Sequence, residues 1–139
     1  MIIDGKDQIL GRIASTVAKK ALEGEEVTIV NCEEMIITGK KENIFEKFTF
    51  KREVGHPYHG PFYPRMPDRM VRRTIRSMLP YKQERGRKAF KRIQCFIGIP
   101  QEYMGKEITQ IKGAGKEKLR TLDFISLKKL AQFLGKKIE

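Results

Sequence analysis

Residues 11–32 read Gly-Arg-Ile-Ala-Ser-Thr-Val-Ala-Lys-Lys-Ala-Leu-Glu-Gly-Glu-Glu-Val-Thr-Ile-Val-Asn-Cys, and a change of hydrophobic period inside this stretch decides the fold class. Ile13, Ala14, Val17, Ala18, Ala21 and Leu22 fall on one stripe of a helix. Gly24 supplies a C-terminal stop. Val27 to Cys32 is then a compact, β-branched run of strand length. Ahead of the helix, Met1 to Ile3 reads as a very short apolar strand, followed by the turn-rich Asp4-Gly5-Lys6-Asp7. Strand, helix, strand is the alternation of an α/β layer structure.

Working outward, Met35-Ile36-Ile37-Thr38 is a second, shorter strand-like run that stops at Gly39. Residues 40–52 are predicted helical, with Ile44, Phe45 and Phe48 on one side and lysines elsewhere. Gly55 to Pro67 reads as a loop, because its prolines remove donors and fix φ. Two basic helices follow, split by Pro80, and then a strand-like Gln94-Cys95-Phe96-Ile97 bounded by Gly98 and Pro100. Leu122 to Ile125 reads as strand or extended chain. Ser126 is typed as the N-cap of a final helix that runs through Leu134 and stops at Gly135. There is no internal repeat and no low-complexity tract. The expectation is one domain over residues 1–139, with residues 104–139 a tail that carries the final helix.

Hydrophobic residues make up 40% of the 139 and charged residues 33%, a globular balance rather than a disordered one. No apolar run approaches the roughly 20 residues that span a bilayer. The N-terminus lacks the basic lead and long apolar stretch of a signal peptide, so the expected location is the cytoplasm. Cys32 and Cys95 lie in or beside apolar runs and form no Cys-x-x-Cys pair, which favours core packing over redox or metal roles. Net charge is +12, and its placement is uneven: residues 65–92 hold eleven basic and two acidic side chains, whereas residues 1–64 hold nine and ten. Solubility alone does not require such concentration, but a polyanionic partner does.

The segment Pro67-Asp68-Arg69-Met70-Val71-Arg72-Arg73-Thr74-Ile75-Arg76-Ser77-Met78-Leu79-Pro80 predicts an amphipathic helix. Proline suits its first turn and Asp68 complements its dipole. Met70, Val71, Ile75, Met78 and Leu79 fall in one half of the helical wheel. Arg69, Arg72, Arg73 and Arg76 cluster within about 100° on the other. A second helix, within Glu84 to Ile93, repeats the plan: Ala89, Phe90 and Ile93 share a face, and Arg85, Arg87, Lys88, Lys91 and Arg92 occupy the rest. Gly86 is a poor helix residue, which moves the predicted start of that helix later. A solvated face usually mixes charge signs, and this one does not. Arginine outnumbers lysine between residues 65 and 92, and its planar fork pairs bidentately with phosphate. No helix-turn-helix, zinc-finger or basic-zipper pattern points to DNA half-sites.

Other chemistries find little footing. His56-Pro57-Tyr58-His59 lacks a third metal ligand, so His56, Tyr58 and His59 read either as a structural loop or as groups that stack on RNA bases. Gly5 to Gly11 opens a helix after a strand but fits neither glycine-rich phosphate-binding pattern. Gly113-Ala114-Gly115-Lys116 fails as well, and Lys112, Lys116, Lys118 and Arg120 read as secondary phosphate contacts. No nucleophile–base constellation exists, so no catalytic site, cofactor, metal or small-molecule substrate is expected. Two rivals to a structural RNA-binding role are a free translational regulator using the same basic surface and a nucleotide-using α/β enzyme.

Several stretches together resemble one family. They are Leu10-Gly11-Arg12-Ile13-Ala14-Ser15, Val27-Thr28-Ile29-Val30-Asn31, Ile37-Thr38-Gly39-Lys40, Arg65-Met66-Pro67-Asp68-Arg69 through Arg76-Ser77-Met78-Leu79-Pro80-Tyr81-Lys82, and Arg85-Gly86-Arg87-Lys88-Ala89-Phe90 running to Gly98-Ile99-Pro100. Over about residues 1–103 the sequence is similar to the large-subunit ribosomal protein L13 family, in its archaeal and eukaryotic style. Ser77 stands where that family usually has glycine, and Cys32 where it usually has alanine. The resemblance implies a three-layer α/β/α fold around a mostly parallel four-stranded sheet, with a protruding basic helix pair. It also implies a structural role: binding large-subunit ribosomal RNA beside neighbouring large-subunit proteins and supporting subunit assembly. The chain would sit in the cytoplasmic large subunit, be monomeric when free, and touch no membrane. Carried over by position, the RNA contacts are Arg65, Arg69, Arg72, Arg73, Arg76, Lys82, Arg85, Arg87, Lys88, Lys91 and Arg92, with Arg12 and Lys40 added from the matching stretches.

Overall fold

The strand–helix–strand unit forms where the sequence predicts it. In a computed structural model, which describes residues 1–54, 63–120 and 123–135, β1 is Ile2–Asp4, α1 is Leu10–Leu22 and β2 is Val27–Val30. β1 and β2 pair in parallel with Ile3 opposite Ile29. β4, Ile93–Cys95, adds in parallel to the other edge of β2 with Cys95 opposite Ile29, giving the order β1-β2-β4. Ile3, Val27, Ile29 and Ile93 are completely buried. By the strand register these side chains share one face of the sheet with Cys95, and that face is the buried one, whereas on the other face Ile2, Asp4 and Thr28 are half-buried and Gln94 is exposed.

The sheet is mostly parallel, but among the described residues it holds three strands rather than the expected four. Beyond β1 it continues only as a single bridge. Asp4 N–H donates to Thr109 O at 2.9 Å, and Thr109 N–H donates to Ile2 O at 3.0 Å. The chain turns back directly afterwards, with Ala114 N–H donating to Ile111 O, so no ladder propagates. A separate antiparallel pair joins β3, Ile36–Thr38, to β5, Phe124–Ser126, with Ile37 opposite Ile125.

Four further helices complete the chain: α2 at Lys41–Glu53, α3 at Pro67–Ser77, α4 at Glu84–Lys91 and α5 at Leu127–Phe133. Ser126 caps α5 as predicted, its hydroxyl accepting from Lys129 N–H at 3.3 Å, and Gly135 takes the left-handed φ of +98° just beyond the helix. The α1 stripe of Ile13, Ala14, Val17, Ala18 and Ala21 is buried, whereas Leu22 at the helix end is 40% exposed. α1 packs against α3 and α4, and α3 packs on β4. Residues beyond 104 share this core through Ala114, Ile125, Leu127, Leu130 and Ala131. Cys32 and Cys95 are free and buried in it. A hydrogen bond with Cys95, and then burial, push the Cys32 thiol well above its ordinary pKa.

Two expectations about the helix pair need correction. Met78, placed by the wheel in the buried half of α3, is 43% exposed, because the helix ends at Ser77 and Met78 is its C-cap residue. Gly86 does not delay α4; it lies inside the helix and is buried. A side chain there would collide with the Pro80 carbonyl and approach Tyr81 N within 2.9 Å. Glycine at this point lets the turn between α3 and α4 lie directly on α4.

Gly86→Ala is therefore expected to destabilise the protein by about 3 kcal/mol, read as a lower denaturant midpoint at unchanged m-value. Met70→Asp, which buries an unpaired charge, should cost at least about 3 kcal/mol. Met78→Asp should stay within about 0.5 kcal/mol of the parent in the same assay.

Candidate nucleic-acid interface

α3 is helical because proline starts it, Asp68 sits in its first turn, and Met70, Val71 and Ile75 are buried beneath it. The remaining sides carry the arginines, and the structure separates them into unlike environments. Arg69 is exposed, as is Arg65 just before the helix, beside Gly135. Arg72 instead turns toward α4: its guanidinium lies 4.1 Å from the Phe90 ring centre and donates to Phe90 O at 3.3 Å. Its Nε is buried without an acceptor among the described residues. Arg73 and Arg76 are half-buried and lie over aromatic rings, 5.8 Å from Tyr63 and 5.0 Å from Tyr81.

α4 and its turn present most of the exposed charge. Lys82, Arg85, Arg87, Lys88 and Lys91 are all exposed. Arg85 Nε donates to Gln83 Oε1 at 3.1 Å, and Lys88 pairs with Glu84 at 3.3 Å across one helical turn. That pair and Lys20–Glu25 are the ion pairs between described residues, so among these residues Glu84 is the carboxylate that meets the basic surface. An exposed pair of this kind contributes about 0.3–0.5 kcal/mol. Arg92 is different. It is half-buried and donates to Ala21 O at 2.9 Å, satisfying a carbonyl in the last turn of α1.

The other predicted contacts fall in three places. Arg12 is exposed at the start of α1 and donates to Gly113 O at 2.7 Å, which ties the 112–118 segment to α1. Lys112, Lys116, Lys118 and Arg120 are exposed there, and Lys116 lies 4.5 Å from the Phe124 ring centre. Lys40 is exposed at the start of α2. His56, Tyr58 and His59 lie outside the described residues.

The sequence reading missed Lys47 and Lys51. Together with Lys40, Arg73 and Arg76 they line a cleft of about 750 Å³ that separates α2 from α3. Lys51 lies 4.9 Å from the Phe48 ring centre and 5.0 Å from that of Tyr63. Partial burial, then the neighbouring charges of Lys47 and Arg73, lower its pKa. Tyr63 shifts upward through burial, opposed by Arg73. A signal was present in the sequence: Lys40, Lys47 and Lys51 recur at helical spacing beside Ile44 and Phe48.

Among the described residues no cluster of three or more His, Cys, Asp or Glu side chains could hold a metal ion, and no helix is long and apolar enough to cross a membrane. The arrangement offers cations on helix faces, planar stacking partners beside them, and, among the described residues, no nucleophile aligned with a base.

Comparison with known proteins gives the chain's family. A family model described as ribosomal protein L13 matches residues 1–102. The large ribosomal subunit protein uL13 of Archaeoglobus fulgidus is 41% identical over 135 residues, covering 96% of this chain and 86% of that protein. Its counterpart in Methanococcoides burtonii is 42% identical over 136 residues, covering 98% of both chains. That of Methanopyrus kandleri is 44% identical over 136 residues, covering 96% of this chain and 86% of its own.

The environments of the arginines generate a test. Arg72→Ala should destabilise the fold by about 1–2 kcal/mol as its stacking and hydrogen bond disappear, whereas Arg69→Ala should stay within about 0.5 kcal/mol. Equal melting temperatures for the two variants would contradict the assigned environments.

Proposed function

The chain belongs to the ribosomal protein L13 family, and from that premise we propose that it is built into the large ribosomal subunit, where it binds ribosomal RNA through the basic helix pair and supports assembly. The family is a structural, non-enzymatic one. The observation that carries the RNA reading is the exposed row Arg69, Lys82, Arg85, Arg87, Lys88 and Lys91, held on helices whose opposite faces are buried and opposed by few carboxylates. Arg65 extends the row, and Arg73 and Arg76 flank it with half-buried guanidinium groups that lie over tyrosine rings. Arg72 and Arg92 act first as struts within the fold, and their outer nitrogens contact RNA only as a secondary role. Arg12, Lys40, Lys112, Lys116, Lys118 and Arg120 form outlying phosphate contacts.

Neighbouring large-subunit proteins are the other partners, and the free chain is a monomer of one domain. The same reading carries the family's three-layer packing of helices about the sheet. It also places the protein in the cytoplasm.

Purified protein should bind large-subunit ribosomal RNA with an affinity that falls steeply with salt. Replacing Arg69, Arg87 and Lys91 together with alanine should reduce the log–log salt slope by about 0.7–0.9 for each phosphate no longer neutralised, at unchanged melting temperature. An unaltered slope would remove the helix pair from the interface. Sedimentation of cell lysate should find the chain with large subunits, and a chain found only in the free fraction would favour a translational regulator instead.

A further inference from the structure

We propose that the cleft between α2 and α3 receives one unpaired nucleotide of the RNA partner, its base seated on the apolar and aromatic walls and its phosphates held by Lys47, Lys51, Arg73 and Arg76. The proposal rests on the RNA-binding reading above and adds a site to it that lies apart from the outward face of α4.

Charge identifies the kind of occupant. Five cationic side chains line the cleft and, among the described residues, no aspartate or glutamate does. Partial burial first, and then the charges of Lys47 and Arg73, disfavour the charged form of Lys51, and an anion between these side chains offsets the repulsive part. The first turns of α1 and α2 form part of the wall through Leu10, Gly11 and Asn43, and no side chain caps either helix among the described residues. The first turn of α1 holds no acidic side chain, so its partial positive charge adds to that of the side chains, whereas Glu42 in the first turn of α2 offsets part of that helix's contribution.

Shape and surface narrow the occupant further. The interior is apolar, with Ile36, Ile44 and Phe48 buried beneath it. Tyr81, which is 40% exposed and covered on one side by the Arg76 guanidinium, gives a flat rim on which a base can stack. Thr38, Asn43, Thr74 and Ser77 supply polar atoms around the opening for base edges or a ribose hydroxyl. A volume of about 750 Å³ lies in the range of small-ligand pockets. Bases stacked in a duplex cannot reach into such a space, whereas a base splayed out of a loop or bulge can. A bare phosphate would leave the apolar walls unused.

The test compares binding of a short single-stranded ribo-oligonucleotide with that of a fully paired RNA duplex of the same length, using the full chain. Tyr81→Ala, and separately the double variant Lys47→Gln with Lys51→Gln, should weaken single-strand binding about tenfold. Duplex affinity should stay at the level of a charge-matched control, Lys128→Gln with Lys129→Gln on exposed α5 positions. Cleft variants that match the control on both RNAs overturn the proposal. So does uridine monophosphate binding as tightly as the oligonucleotide, which would make the cleft a small-molecule site. Failure of the underlying reading looks different: Arg87→Ala with Lys91→Ala would then leave both RNAs bound as tightly as by the parent protein.

Discussion

Four guanidinium groups on three turns of helix repel one another, and the burial of Met70, Val71 and Ile75 offsets that repulsion. Each such side chain contributes about 1.5–3 kcal/mol on leaving water. The apolar side of α3 lies against α1 and β4, so the helix that carries more arginines than any other is also wedged into the centre of the core. Rigidity and charge thus come from one helix. A flexible basic tail would present the same charges but would have to be ordered on binding.

Arginine performs two kinds of work in this chain, and the structure sorts them by what lies underneath. Arg72 and Arg92 donate to backbone carbonyls, joining α3 to α4 and β4's entry to the end of α1. Arg69 and Arg87 have solvent around them. Arg73 and Arg76 lie between these extremes, half-buried over tyrosine rings at the edge of the cleft.

Much of this is legible in the amino-acid order because it is local. The α1 stripe, the β-branched run of β2, the Ser126 cap and the proline start of α3 each depend on residues within a few positions. The buried side of α3 is legible too, up to the point where the wheel is extended past the end of the helix to Met78. What cannot be read depends on neighbours far apart in the chain. Phe90 comes to lie under Arg72 only because the turn at Pro80 folds α4 back, and the pairing of β3 with β5 joins residues nearly ninety positions apart. The fourth strand of the expected sheet shrinks to one bridge because the segment around Thr109 turns away at once. In the sequence, Lys47 and Lys51 resemble the solvent side of an ordinary helix. Only the fold sets Arg73 and Arg76 in the same cleft as these lysines.

The missing side chain at Gly86 has a consequence for how a partner must approach. With the Pro80 carbonyl resting on α4, the turn has no slack, and the spacing between the charges of the two helices is set when the chain folds. The ordering cost is met at that stage and not at the encounter with a ligand. In the proposed complex the pair would act as a mould of fixed dimensions, to which a pliable polyanion would have to shape itself.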